Sequence, residues 1–228
     1  MQAASAEQPH GELSIAAASN LTQVAKTLGD KFEAEANIHC TFSFGATAEL
    51  TQQIENGAPF DLFLSADASH VKELQDKGLL AEMEGRQPYA VGILALWVPP
   101  KSKVTPTRIQ DVTRPDVKVI AMAKPELAPY GQAAMESLQH AGIWEIAKNK
   151  VAYAENISMA RQFGTSGNAD VVFTAKALVL GDGGTIIDID DSMHAPIVQE
   201  LGIMAKSPHV AEARKFVQFL RQGDGQGN

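Results

Sequence analysis

A single cysteine in 228 residues excludes any intramolecular disulfide, and Cys40, beside Thr41 and Phe42 in a strand-like segment, reads as a small buried apolar residue. No apolar run reaches the roughly 18 residues a membrane-spanning helix needs. Basic residues are outnumbered, 19 Lys and Arg against 27 Asp and Glu. The resulting net charge of −8 argues against a nucleic-acid or anionic-membrane partner, which clustered Lys and Arg would serve. The first nine residues lack both the charged start and the apolar stretch of a signal peptide, so they are read as the start of a mature chain, with Met1 added.

Catalytic signatures are missing as well. The sequence has no Gly-x-Ser-x-Gly elbow, no phosphate loop with its Lys and no His-Glu-x-x-His helix. Gly164-Thr165-Ser166-Gly167 reads as a plain turn. The six His residues are scattered without ligand spacing, so no metal site is assigned. The acidic run Asp182, Asp188, Asp190, Asp191 and Glu200 does not follow a calcium-loop pattern and reads as a solvated face.

What is present is a repeated device: an apolar strand that ends in small polar residues and feeds a helix. Glu12-Leu13-Ser14-Ile15-Ala16 reads as a strand, Ser19-Asn20 ends it, and Leu21, Val24, Ala25, Leu28 and Phe32 recur at helical spacing. Asn20 is expected to cap that helix, with Gln23 reaching back. The device returns at Phe44-Gly45-Ala46-Thr47, at Tyr130-Gly131 after the strand ending at Ala123, and at Asn156-Ile157-Ser158 after Ala154. Helix starts present free N–H groups and a favourable dipole to an anion, so four of them in both halves of the chain point to one small anionic ligand. The alternation of strands and helices implies an α/β protein with mostly parallel sheets, and 45% hydrophobic residues suffice for one large core or two moderate ones.

The residues Ala17-Ala18-Ser19-Asn20-Leu21, Ser43-Phe44-Gly45-Ala46-Thr47, the block from Ile54 to Asp67, Gly142-Ile143-Trp144, Ala154-Glu155-Asn156-Ile157 and Ala195-Pro196-Ile197-Val198-Gln199 resemble the periplasmic molybdate-binding proteins of ABC transporters. The resemblance runs from about residue 12 to residue 220. It implies a two-lobed periplasmic-binding-protein fold of type II, each lobe a mostly parallel sheet flanked by helices, joined by a two-strand hinge. Lobe 1 is expected over 10–88 plus 203–222 and lobe 2 over 89–202, with hinge crossovers near 89–98 and 196–205 and flexible tails at 1–9 and 223–228. A last helix is expected from Ser207-Pro208, packing back on lobe 1.

Carried over, the family's ligand positions fall on Ser19, Asn20, Thr47, Tyr130 and the backbone of Ile157, with Ala46, Asn156 and Phe173 as weaker candidates. Many members place a Tyr where this chain has Phe173, and the Tyr130 hydroxyl is expected to replace it. The implied function is non-enzymatic: capture of molybdate, and of tungstate, in an interlobe cleft by a periplasmic monomer that uses no cofactor, and delivery to an inner-membrane ABC permease. Binding of sulfate or another tetrahedral oxyanion stays open as an alternative. An intracellular effector-binding or catalytic domain on the same fold is a further one.

Overall fold

The strongest local signal, the apolar stretch at Leu13 to Ala18, becomes the centre of the first sheet. A computed structural model describes residues 11–81 and 88–222; the expectations for the tails 1–9 and 223–228 lie outside the described residues. Strand β1 (Gly11–Ala18) pairs in parallel with β2 (Ile38–Gly45) and β3 (Leu62–Leu64), and β11 (Leu201–Ile203) adds an antiparallel edge, giving the order β11-β3-β1-β2. Leu13, Ile15 and Ala17 face a core shared with Phe32 of α1 (Ala25–Ala36) and Phe216 and Phe219 of α8 (Val210–Arg221). Ala16 faces the opposite side, where Leu50 and Ile54 of α2 (Thr47–Glu55) and Val71 and Leu74 of α3 (Ser69–Asp76) pack. The period-two alternation of a strand thus buries both faces.

The second sheet has the order β7-β6-β8-β5-β9, built from β5 (Leu94–Val98), β6 (Ile120–Ala123), β7 (Val151–Ala154), β8 (Val171–Ala175) and β9 (Thr185–Asp188). β6, β7 and β8 are parallel, whereas β5 runs antiparallel to both neighbours. Trp97 and Phe173 are fully buried in its core, and the Trp97 indole donates to the Gly183 carbonyl at 2.8 Å. Helices α4 (Pro129–His140), α5 (Trp144–Ala147), α6 (Ile157–Thr165) and α7 (Lys176–Val179) flank it.

Between the sheets lies a two-stranded ribbon, β4 (Ala90–Gly92) with β10 (Ile197–Gln199), in which Gln199 pairs with Ala90. Each expected crossover is therefore split by one residue. Ile93 separates β4 from β5, and Glu200 separates β10 from β11, so Leu201 and Gly202 already belong to the first sheet.

Several local expectations are corrected. The helix expected from Asn20 starts only at Ala25, because Ser19–Leu21 form a short 3-10 turn in which Asn20 caps nothing. Gln23 does not reach back either; its carboxamide lies against the Arg161 guanidinium, and turned over it presents its oxygen to that group at 3.1 and 3.3 Å. The last helix starts at Val210 rather than Ser207, whose hydroxyl instead donates to Asp61 at 2.6 Å and accepts from the His209 amide. Within the acidic run, Asp182 is no solvated group, since it forms a two-pronged pair with Arg161 at 2.5 Å.

Candidate oxyanion site

Parallel strands end where their helices begin, so the carboxyl ends of β1, β2 and β3 in one lobe face those of β6, β7 and β8 in the other. Ser19 and Asn20 follow β1 directly, and Ala46 and Thr47 follow β2; all four are buried. On the opposing side Tyr130 stands in the first turn of α4 and Ile157 opens α6, both buried.

The lobes touch at these residues. The Ser19 hydroxyl accepts from the Ser158 N–H at 3.5 Å, and the Ala48 N–H donates to the Leu127 carbonyl at 3.1 Å. The Thr47 hydroxyl oxygen accepts from the Ala66 N–H at 3.4 Å. An oxygen that accepts from an amide keeps its own proton to donate, so both hydroxyls remain donors. At α6, Asn156 is the N-cap, accepting from the Met159 N–H at 3.0 Å, which leaves the Ile157 N–H as a first-turn donor. Pro129 opens α4 without an N–H of its own, and the next residue, Tyr130, offers one. Gly131 lets that turn sit on the end of β6, since a Cβ there would lie 2.3 Å from the Ala123 carbonyl oxygen.

One residue of this arrangement escaped assignment from sequence. Gln199, buried at the end of β10, accepts from the Asn20 carboxamide at 3.0 Å and donates to the Tyr130 hydroxyl at 3.2 Å. Tyr89 donates toward both Gln199 Oε1 and the Ser65 carbonyl, each at 3.0 Å. A hinge glutamine so links lobe 1, the ribbon and lobe 2. Its sequence signals were its place at the end of the family-like segment Ala195–Gln199 and its polarity after the apolar Ile197-Val198 pair, neither of which assigns it a role.

Burial holds the Tyr130 hydroxyl well above its ordinary pKa, against a smaller opposing effect of the bond to Gln199, so it stays protonated. Phe173, fully buried, packs in the second-lobe core. Cys40 is only half-buried; burial first and Glu33 second push its thiol up to about 12. Among the described residues, no group of three or more His, Cys, Asp or Glu is arranged to hold a metal ion.

Two sheet-based lobes, a ribbon hinge and neutral donors at facing strand ends define a periplasmic-binding-protein fold of type II. Residues 13–227 match the bacterial extracellular solute-binding protein family. The chain belongs to that family, and the ModA molybdate-binding proteins are among its relatives. The ModA of Rhodobacter capsulatus is 35% identical over 215 residues, covering 92% of this chain and 83% of that protein. The ModA of Azotobacter vinelandii is 32% identical over 219 residues, covering 92% and 84%. The solved periplasmic molybdate-binding protein of Azotobacter vinelandii superposes with a TM-score of 0.86 at 26% identity over 92% of each chain. The sulfate-binding protein SubI of Mycobacterium tuberculosis, at 14% identity and a TM-score of 0.73 over 92% of this chain and 82% of that one, shares the fold alone.

Proposed function

We propose that this protein captures molybdate between its lobes and hands it to an ABC permease. What supports this reading is that Ser19, Asn20 and Thr47 of lobe 1 stand at strand ends, that Tyr130 and Ile157 of lobe 2 stand at helix starts, and that hydrogen bonds from Ser158 to Ser19 and from Asn20 through Gln199 to Tyr130 join the two sides. None of these residues is cationic. A tetrahedral dianion entering the closed cleft loses its hydration shell, and each oxygen needs donors to replace it. Hydroxyls, a carboxamide and helix-start amides supply them, and the helix dipoles add favourable potential. These donors stand on strand ends and helix starts, so their spacing is fixed, and a fixed spacing lets a site discriminate tetrahedral anions by size. A protonated phosphate would add a proton that such a site leaves unpaired.

On this reading tungstate, of the same shape and charge, binds as well. The two lobes, with Leu201 and Gly202 counted in the first, close about the ribbon; the protein acts as a monomer in the periplasm and performs no chemistry on its cargo. Similarity to the ModA proteins supports the ligand. Titration calorimetry with molybdate, tungstate, sulfate and phosphate tests it. Tight binding of the first two with weak or no binding of the others is expected, and a preference for sulfate overturns the assignment.

A further inference from the structure

The hydrogen-bond chain through Gln199 has a direction, and that direction decides which lobe donates to the anion. In the arrangement above, the single Tyr89 proton faces two acceptors, the Ser65 carbonyl and Gln199 Oε1. Asn20 Oδ1 is buried with no hydrogen-bond partner. A buried acceptor left without a donor is costly, and one beside a bound anion is also repulsive.

Carboxamide oxygen and nitrogen have nearly the same shape, so the same positions admit the opposite polarity. Ser65 contributes a main-chain carbonyl, which can only accept, so it takes the Tyr89 proton. The Tyr89 oxygen then needs a donor, which is the Gln199 NH2 once that carboxamide turns over. The same NH2 donates its second proton to Asn20, which must therefore present its oxygen to Gln199 and its own NH2 where the orphaned oxygen stood. Gln199 Oε1 now accepts from the Tyr130 hydroxyl. Every group but the Asn20 NH2 is then satisfied, and its two protons, at the position that has no protein partner, are left for a ligand. Burial, with Tyr130 a smaller contributor, holds the Tyr89 hydroxyl well above its ordinary pKa, which keeps the first proton of the chain in place.

We propose that Gln199, oriented from the Ser65 carbonyl through Tyr89, is a positioning residue that turns the Asn20 carboxamide into a donor and so sets the site's preference for a fully deprotonated oxyanion. The proposal rests on the oxyanion-binding reading above. It assigns the lobe 2 contribution of Tyr130 to its main-chain N–H, the hydroxyl being committed to Gln199. Without this control Asn20 can turn its oxygen to the ligand, which weakens a bare dianion and admits one that carries a proton.

The opposite polarity makes the opposite assignment, with the Tyr130 hydroxyl donating to the anion, so paired variants separate the two. Calorimetry on the parent, Tyr89→Phe, Gln199→Leu and Tyr130→Phe is run with molybdate and with phosphate near pH 6, where hydrogen-bearing phosphate dominates. The melting temperature of each ligand-free variant is recorded alongside. Tyr89→Phe and Gln199→Leu are expected to lose about tenfold or more in molybdate affinity and to narrow the molybdate-to-phosphate ratio, while Tyr130→Phe, which removes only the donor to Gln199 Oε1, loses less than either. In parallel, the Asn20 side-chain NH2 resonances of 15N-labelled parent protein should shift on molybdate addition, and Tyr89→Phe should blunt that shift. A large loss in Tyr130→Phe with Tyr89→Phe unaffected overturns the inference, as does an unchanged anion ratio in both Tyr89→Phe and Gln199→Leu. A parent that binds no molybdate instead refutes the functional reading itself.

Discussion

The N–H of Ala48, in the first turn of α2, is satisfied by the carbonyl of Leu127 across the cleft, at 3.1 Å. A first-turn amide has no carbonyl within its own helix to bond. Here the partner belongs to the opposite lobe, so lobe closure completes a helix terminus. Together with Ser19 and Ser158, this contact makes the closed form a state with its own hydrogen bonds. Ligand binding and closure should therefore be read out by the same measurements.

Molybdate at a hundredfold excess over its Kd should stabilise the protein by about 2.7 kcal/mol, because a ligand bound only by the folded state adds RT ln(1 + [L]/Kd). For a chain of this size that corresponds to a rise in melting temperature of roughly 5–11 °C. Differential scanning calorimetry checks it, with sulfate at the same concentration expected to give a smaller rise or none.

Asn20→Ala and Thr47→Val should each weaken molybdate binding. A hydrogen bond to a charged group is worth about 1.5–3 kcal/mol, or roughly ten- to 150-fold in Kd. Neither residue caps a helix, since the 3-10 turn holds Asn20 and Ala46 is the N-cap of α2, so circular dichroism of both variants should match the parent. Parental affinity in both would remove them from the site.

Gly92→Ala should impede closure. A Cβ at this hinge position would lie 2.3 Å from the Tyr130 hydroxyl and 3.0 Å from Gln199 Nε2, so the methyl group and the closed form compete for one space. Weaker molybdate binding is expected, with a radius of gyration from small-angle scattering that shrinks less on ligand addition than in the parent.

His70 and Asp67 should make a pH-dependent contribution to stability. Their side chains pair at 2.8 Å, a quarter and a fifth exposed. The bond to Asp67 raises the His70 pKa above 6.5 against the opposing effect of burial. Burial pushes Asp67 up, but its bonds to His70 outweigh this and leave it below 3.8. The His70 contribution is full below pH 6.5 and fades as pH rises through its folded value; that of Asp67 is full above pH 3.8 and fades as pH falls through its folded value. Urea unfolding of His70→Gln should therefore show its largest deficit, up to about 1 kcal/mol, near pH 5–6, shrinking by pH 8.

Much of this was legible because it rests on local chemistry. The stretch Leu13 to Ala18 is buried on both faces, and the helix starts at Thr47, Pro129 and Ile157 lie within a residue of where strand ends and turn residues put them. The late start of α1 was hidden because Leu21 and Val24 fit the helical period, while the 3-10 turn at Ser19–Leu21 leaves Asn20 beside Gln199, a contact 179 residues away in sequence. Splitting of the two crossovers was hidden for a similar reason. An apolar run such as Tyr89 to Val98 carries no mark of which sheet each part will join, and Ile93 looks like its neighbours. Gln199 could be noticed as polar but not assigned, since its partners come from three separate segments.

The chain passes through the second sheet in one stretch, from Leu94 to Asp188, whereas the first sheet waits for β11 and α8. Phe216 of α8 meets Phe32 edge-on with ring centroids 5.0 Å apart, over the same face that Leu13 and Ile15 present. During synthesis the lobe that begins first is thus the one finished last. Until the final helix is delivered, that apolar face stays uncovered, and an unfinished chain exposes the kind of surface that invites aggregation. Truncation within α8 therefore harms the distant amino-terminal lobe more than the second sheet, which is complete by Asp188.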